Sequence, residues 1–122
     1  MLIRYKKTYE KIAMGLLSYM PGEQSVKALQ ETICNYETIE NWQLFLWKED
    51  EDFIGLLGVE MAEDVYTLQD LSVNPSFRGE GIGKEMVKAI RDQYPDKKCR
   101  STDITDTFLK KCQVEEEGGA DD

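Results

Sequence analysis

The chain has 122 residues and a formal net charge of −9 at pH 7, with 24 acidic side chains, 15 basic ones and no histidine. The lack of histidine excludes Ser-His-Asp triads, Cys-His pairs and histidine-based zinc sites. The acidic balance argues against a nucleic acid or an anionic membrane surface as a partner.

No apolar run approaches the ~20 residues of a membrane span, and the N-terminus lacks the apolar core of a secretory signal, so we expect a cytoplasmic protein. The three cysteines form no C-x-x-C pair, and we expect no metal. The length suits one domain. We therefore expect residues 1–114 to form this domain and residues 115–122, rich in Glu, Gly and Asp, to be a disordered acidic tail.

The first third of the chain predicts one short strand and two helices. The strand is expected over Met1–Lys7. Apolar side chains at helical spacing then predict amphipathic helices over Tyr9–Met20, which Pro21-Gly22 ends, and over Glu23–Tyr36. The apolar stripes expected to be buried are Ile12, Leu16 and Met20 in the first helix and Val26, Leu29, Ile33 and Tyr36 in the second.

Three β-rich segments follow, separated by short charged turns. Gln43–Lys48, Phe53–Met61 and Thr67–Val73 predict a meander of three antiparallel strands. Gly55 and Gly58 within the second strand indicate a bulge or a close backbone approach.

The last part of the chain predicts two helices around a strand. A helix begins near Gly81, with Ile82, Met86, Val87 and Ile90 on one face. A strand over Cys99–Asp103 would lie parallel to the strand before that helix, because a crossover helix joins them. A short helix is expected over Asp106–Gln113.

The link between the third meander strand and its helix is rich in glycine, reading Arg78-Gly79-Glu80-Gly81-Ile82-Gly83. Amides at a helix N-terminus, unobstructed by side chains, bind phosphate groups. A P-loop is excluded because only three residues separate Gly79 from Gly83 and because Glu85 follows Lys84, and the alternating glycines exclude the dinucleotide fingerprint. The segment predicts an anion-binding turn; a plain tight turn is the structural alternative.

The segment Leu71–Gly83 contains Leu-x-Val-x-Pro and then Arg-x-x-Gly-x-Gly, and resembles the acetyl-coenzyme A signature of the GNAT N-acetyltransferase superfamily. The element order β-α-α-β-β-β-α-β-α also resembles that superfamily. The resemblance implies an α/β (α+β) fold, with a mixed, mostly antiparallel sheet, helices on both faces, and the last two family strands lacking. Segments beginning at Lys11, Gln43 and Ser72 resemble a small acetyltransferase encoded in bacterial riboflavin operons.

This resemblance implies an N-acetyltransferase that moves an acetyl group from acetyl-CoA to the amine of a small molecule or protein by direct attack. The main chain of Leu71 and Val73 would bind the pantetheine arm like an added strand, and the Val73 amide would be the oxyanion donor. Thr102 and Phe108 stand at further coenzyme-contacting positions of the family. The residues expected to bind the pyrophosphate are Arg78, Gly79, Gly81, Gly83 and Lys84.

The attacking amine must lose a proton, and the candidate bases are Asp70 and Glu60, although for each of them taken singly the pattern favours a solvated acid. Strand alternation places Asp70 on the sheet face opposite Leu71 and Val73. The family tyrosine that can protonate the leaving thiolate is replaced here by Leu109.

Two other functions stay open from the sequence. One is a GNAT-fold protein that binds acetyl-CoA as a sensor or partner module without turnover, which Leu109 and the lacking strands suggest. The other is a nucleotide-phosphate binder of a different fold. The exposed strand Cys99–Asp103 makes a homodimer possible. No residue identifies the acceptor.

Overall fold

The structure is a computed structural model that describes residues 1–22 and 25–107. Its elements are β1 Leu2–Arg4, α1 Glu10–Leu17, α2 Val26–Thr38, β2 Trp42–Glu49, β3 Asp52–Met61, β4 Val65–Val73, α3 Ile82–Gln93 and β5 Lys98–Ser101. Short turns of 3₁₀ helix at Lys7–Tyr9 and Pro75–Phe77 precede α1 and α3.

The five strands form one sheet in the order β1-β2-β3-β4-β5. The first three pairings are antiparallel and the β4–β5 pairing is parallel. Since α3 connects β4 to β5, a parallel pairing is what a crossover connection requires. The predicted fold class, a mixed and mostly antiparallel sheet with helices, is confirmed.

Each face of the sheet packs against its own helices. On one face, α1 and α2 bury a core with inward residues of β2 and β3; on the other, α3 packs against β3 and β4. The first core contains Ala13, Leu16, Leu17, Leu29, Ile33, Tyr36, Leu44, Leu46 and Leu56. The second contains Phe45, Ile54, Leu57, Val59, Tyr66, Leu68, Leu71, Val73, Ile82, Met86, Val87 and Ile90.

The first two helices differ from the prediction at their ends. The α1 helix ends at Leu17, before Met20, and the side chain of Ile12 is 40% exposed. A stripe spaced strictly by four residues drifts around a helix of 3.6 residues per turn, so α1 buries Ala13 in place of Ile12. The α2 helix begins at Val26, which is 65% exposed at the first helical position, after the Ser25 N-cap.

The fifth strand is shorter than predicted, because Thr102 begins a helical stretch instead of continuing the strand. The Thr102 amide donates to Thr105 Oγ1 at 2.9 Å, and the Thr105 amide donates to Thr102 Oγ1 at 3.2 Å. This reciprocal capping starts a helix at Asp103, three residues before the predicted Asp106. The rest of that predicted helix and the predicted acidic tail lie outside the described residues.

Two glycines of β3 lie where neighbouring side chains approach the backbone of the sheet closely. A Cβ added to Gly55 would lie 2.6 Å from Met86 Sδ, and one added to Gly58 would lie 2.0 Å from Tyr36 Oη. A bulge also occurs here: Gly58 is opposite Asp70 but Val59 is opposite Leu68, so Gln69 is an extra residue in β4.

Candidate functional site

Among the described residues, the second half of β4 has a strand partner on one edge only. The β5 strand pairs with β4 from Val65 to Leu68, whereas β3 pairs with it as far as Val73. The separation of β5 from β4 begins at Thr105. Its buried Oγ1 donates to the Leu68 carbonyl at 2.8 Å, and this bond ends the ladder of hydrogen bonds between the two strands. The main chain of residues 69–73 therefore has no β5 partner on the edge that faces away from β3.

The Leu71 amide points to this open edge. It donates to Met20 Sδ at 3.4 Å, while the Asn74 amide donates to the Ile54 carbonyl of β3. Because main-chain groups alternate in direction along a strand, Leu71 and Val73 both direct their N–H and C=O groups away from β3. A thioether is a weak acceptor, so the Leu71 amide can exchange it for a better partner.

Met20 reaches β4 because the end of α1 is attached there. The buried Ser72 hydroxyl donates to the Leu16 carbonyl at 2.7 Å. Sequence reasoning placed Met20 in the helix stripe and missed this position; Pro21-Gly22, which ends the helical pattern, was the available signal that the chain turns here.

A cleft of about 540 Å³ contains the open edge. It runs between the end of α1, the second half of β4, the N-terminus of α3 and the stretch after β5. The lining residues are Tyr19, Met20, Pro21, Leu71, Ser72, Val73, Phe77, Arg78, Gly79, Gly81, Ile82, Gly83, Lys84, Ile104, Thr105 and Thr107.

Seven of the residues predicted to bind the coenzyme line this cleft together: Leu71, Val73, Arg78, Gly79, Gly81, Gly83 and Lys84. Thr102 does not line it, since its hydroxyl caps the following helical stretch. Ile104, Thr105 and Thr107 occupy that part of the wall instead, and no sequence motif marked them. Phe108 and Leu109 lie outside the described residues.

The N-terminus of α3 is open to an anion. Its N-cap is Gly81, with φ of 77°, and no side chain of residues 1–22 or 25–107 bonds the amides of the first turn. Gly79 has φ of 84°, and a Cβ built on either glycine meets no atom within 4 Å. In the described part of the chain, Arg78 and Lys84 form no ion pair. Unpaired amides, the helix dipole and two cations thus meet at one end of the cleft.

Asp70 lies on the α1–α2 face of the sheet, opposite Leu71 and Val73, as alternation predicted. The Tyr36 hydroxyl donates to its Oδ2 at 2.6 Å. Burial raises the pKa of Asp70, and this hydrogen bond opposes the rise. Burial and the Asp70 charge likewise raise the pKa of Tyr36 well above its ordinary value.

Glu60 is part of a separate contact, in which Gln69 Nε2 donates to its Oε2 at 3.0 Å. Asp70 and Glu60 both lie outside the cleft lining. The partnership of Asp70 with Tyr36 was missed because an aromatic residue at helical spacing predicts only core packing; the one signal for it was Gly58 in the strand between them.

Within residues 1–22 and 25–107, no helix is long and apolar enough to cross a membrane. The same residues bring together no group of three or more Cys, Asp or Glu side chains that could hold a metal ion.

Comparison with known proteins agrees with this geometry. The sequence profile of the Acetyltransferase (GNAT) family matches residues 12–110. An uncharacterised N-acetyltransferase encoded in the region 3′ of lysA in Bacillus methanolicus is 56% identical over 115 residues, which are 93% of this chain and 96% of that protein.

Two solved aminoglycoside N-acetyltransferases share the fold. AAC(6')-Iy in complex with CoA has a TM-score of 0.75 at 18% identity, covering 94% of this chain and 84% of that one. AAC(6')-Ih from Acinetobacter baumannii has a TM-score of 0.68 at 15% identity, covering 94% of this chain and 86% of that one. The family profile and the close relative together show that this chain belongs to the GNAT family of acetyltransferases.

Proposed function

We propose that this protein transfers the acetyl group of acetyl-CoA to the amine of a small molecule or a protein. The observation that carries the proposal is one cleft in which a strand edge leads to a helix N-terminus, neither of which has a strand partner or a side-chain cap among the described residues. An amide-containing arm fits the first feature and a pyrophosphate fits the second. The residues present therefore fit acetyl-CoA.

Leu71 and Val73 would bind the pantetheine arm through their outward main-chain groups, with Met20 displaced from the Leu71 amide. The Val73 amide faces the same edge and is the proposed donor to the developing oxyanion. Removing one such donor typically lowers the rate by two to three orders of magnitude.

At the other end of the cleft, the first-turn amides of α3 would hold the pyrophosphate, and Arg78 and Lys84 would add charge-assisted bonds. A chain that is acidic overall thus presents two of its cations where a polyanion would bind. Thr102 and Phe108 stay predictions for the coenzyme site.

The coenzyme supplies the acetyl thioester, and the protein must manage the protons. The amine nitrogen bonds to the acetyl carbon as the carbon–sulfur bond breaks. Of the two protons that an ammonium nitrogen loses, one ends on the coenzyme sulfur and one leaves through a base. Asp70 is the proposed base because burial raises its pKa toward the range useful for accepting a proton, and Glu60 is the second candidate.

The finer assignments belong to the same proposal. The likeness of three segments to RibT, the acetyltransferase encoded in riboflavin operons, supports a cytoplasmic enzyme with a metabolic acceptor. A homodimer through the β5 edge is tested by light scattering, where a monomeric mass at working concentration contradicts it.

Thermal melts with acetyl-CoA, CoA and ATP, each added separately, test the cofactor. A ligand at a hundred times its Kd stabilises by about 2.7 kcal/mol, so both coenzyme A species should raise the Tm and ATP should not. Gly81→Glu and Gly81→Gln form a matched pair, since both carry the same backbone strain and only Glu adds charge. The shift should be lost in the Glu variant and largely kept in the Gln variant.

A shift with ATP alone, or equal losses in the two variants, would contradict the anion site. Release of free thiol during incubation with a panel of primary amines then tests turnover. Tight coenzyme binding with no release for any amine would favour a sensor over an enzyme.

A further inference from the structure

The Tyr36 side chain extends from α2 onto the sheet beside the open half of β4. It is 7% exposed, its ring centroid lies 5.2 Å from that of Trp42, and its hydroxyl donates to Asp70 Oδ2 at 2.6 Å. The contact joins residues 34 positions apart. The ring contact and the hydrogen bond hold the tyrosine at both ends.

Gly58 makes this contact possible. It is the register partner of Asp70 in β3, and a Cβ there would lie 2.0 Å from Tyr36 Oη and 2.3 Å from Tyr36 Cζ. No side chain could share that space with the ring. The hydroxyl therefore reaches the carboxylate only through the gap that glycine leaves.

The bulge in β4 sets the position of Asp70 relative to the cleft. Gln69 is the extra residue, so Asp70 lies at the point where pairing with β5 has ended. The next residue, Leu71, opens its amide to the cleft. The carboxylate and this amide thus belong to consecutive residues, with the carboxylate on the α1–α2 face of the sheet and the amide at its open edge.

The other charged groups near this pair have partners of their own. Glu60, two residues from Gly58 on β3, accepts from Gln69, and Glu37 on α2 accepts from Tyr5 and Lys7. Within the described ranges, no cation forms an ion pair with Asp70. The Tyr36 hydroxyl is the donor that the structure gives this carboxylate.

We propose that Tyr36 is a positioning residue, whose hydroxyl holds Oδ2 of Asp70 and thereby leaves Oδ1 as the atom that accepts the proton of the attacking amine. This inference rests on the proposed function. Tyr36 does not touch the reacting atoms, and it acts by fixing one carboxylate orientation beside the open edge. A freely rotating carboxylate would present either oxygen and would spend less time aligned.

The test is Tyr36→Phe, which keeps the ring and removes the hydroxyl. Two readouts are expected to move. The Asp70 carboxyl, followed by carbon-13 NMR, should titrate at a higher pH, because the lost hydrogen bond had lowered its pKa. The pH profile of kcat/KM, measured with an amine that the panel identifies, should move to higher pH on its acidic side. We also expect kcat to fall about tenfold and KM for acetyl-CoA to stay unchanged.

Tyr66→Phe is the matched control. Tyr66 is also buried, and its hydroxyl lies near Cys99 instead of a carboxylate. Its loss should leave the Asp70 titration and the pH profile unchanged. Asp70→Asn is the second variant and should lower kcat roughly 100-fold or more while keeping the coenzyme-induced rise in Tm.

An unchanged Asp70 titration and pH profile in Tyr36→Phe would overturn the proposal, as would full activity in Asp70→Asn. Either result leaves the proposed function standing, because the coenzyme melts do not depend on the acceptor. Melts that show no stabilisation by coenzyme A would instead overturn the proposed function itself.

Discussion

The two halves of β4 have different hydrogen-bonding surroundings. Tyr66–Leu68 pair with β3 on one edge and with β5 on the other, whereas the described strands pair with Leu71–Val73 on the β3 edge alone. Side chains from both halves pack into the same α3 core. The comparison teaches that burial of a side chain and availability of its backbone are independent, so one strand can stabilise the fold at one end and bind a ligand at the other.

The largest effect is expected in the doubly paired half. Leu68→Ala deletes a fully buried side chain and should lower the free energy of unfolding by about 2–5 kcal/mol. Urea unfolding measures this loss. The Kd for coenzyme A, measured at a temperature where the variant is folded, should stay unchanged. A large rise in Kd would show that the two halves are not separable.

A smaller effect is expected at the point of separation. Thr105→Val keeps the side-chain shape and removes the donor to the Leu68 carbonyl, leaving a buried acceptor unpaired at a cost of about 1–3 kcal/mol. Thr107→Val, on the exposed side of the same stretch, is the control and should change the Tm little. Equal shifts in Tm for both variants would contradict a special role for Thr105.

The pH dependence of stability tests the residue next to the bulge. Because the pKa of Asp70 is raised in the folded state, folding favours its protonated form. Its stabilising contribution is full below the unfolded pKa and is lost as pH rises through the folded pKa. The wild-type chain should therefore lose stability relative to Asp70→Asn as pH rises from about 4, measured by urea unfolding across pH. A difference that is constant with pH would contradict the raised pKa.

The smallest effect is expected at the open edge. Met20→Leu removes the sulfur that accepts the hydrogen bond of the Leu71 amide. Coenzyme A then no longer competes with this sulfur for the amide. Affinity should rise about two- to fivefold, as expected for a weak acceptor worth roughly 0.5–1 kcal/mol. Met14→Leu, the same change away from the cleft, should leave the Kd unchanged, and calorimetric titration measures both. Weaker binding in Met20→Leu would mean that Met20 assists the ligand.

The sequence predicts the part of the cleft that is local along the chain. Leu71, Val73 and the glycine-rich turn lie within 14 consecutive residues, so their spacing alone brings them to one end of β4. Strand alternation likewise predicts the sheet face on which the Asp70 side chain lies, because successive side chains of a strand point to opposite faces.

The remainder of the cleft depends on tertiary packing. Met20 and Thr105 reach β4 from distant segments, and no local pattern distinguishes them from other apolar or capping residues. The exposed side chains of Ile12 and Val26 show the same limit. Periodicity locates the apolar stripe of a helix, but it does not show which residues at the margin of that stripe the sheet covers. Thr102, which stays a prediction for the coenzyme site, also uses its hydroxyl to cap the following helical stretch, and this capping was not predicted.

The hydroxyl of Thr105 has a consequence for how fast a ligand can bind. Because its hydrogen bond to the Leu68 carbonyl ends the β4–β5 ladder, a contact of the protein itself makes the two strands diverge. For the part of the chain that the structure describes, association then requires the Met20 side chain to move but no paired strands to separate. Folding already includes the free-energy cost of separating the two strands, so binding does not include it. Variants of the cleft should therefore differ mainly in the dissociation rate of the coenzyme and little in its association rate.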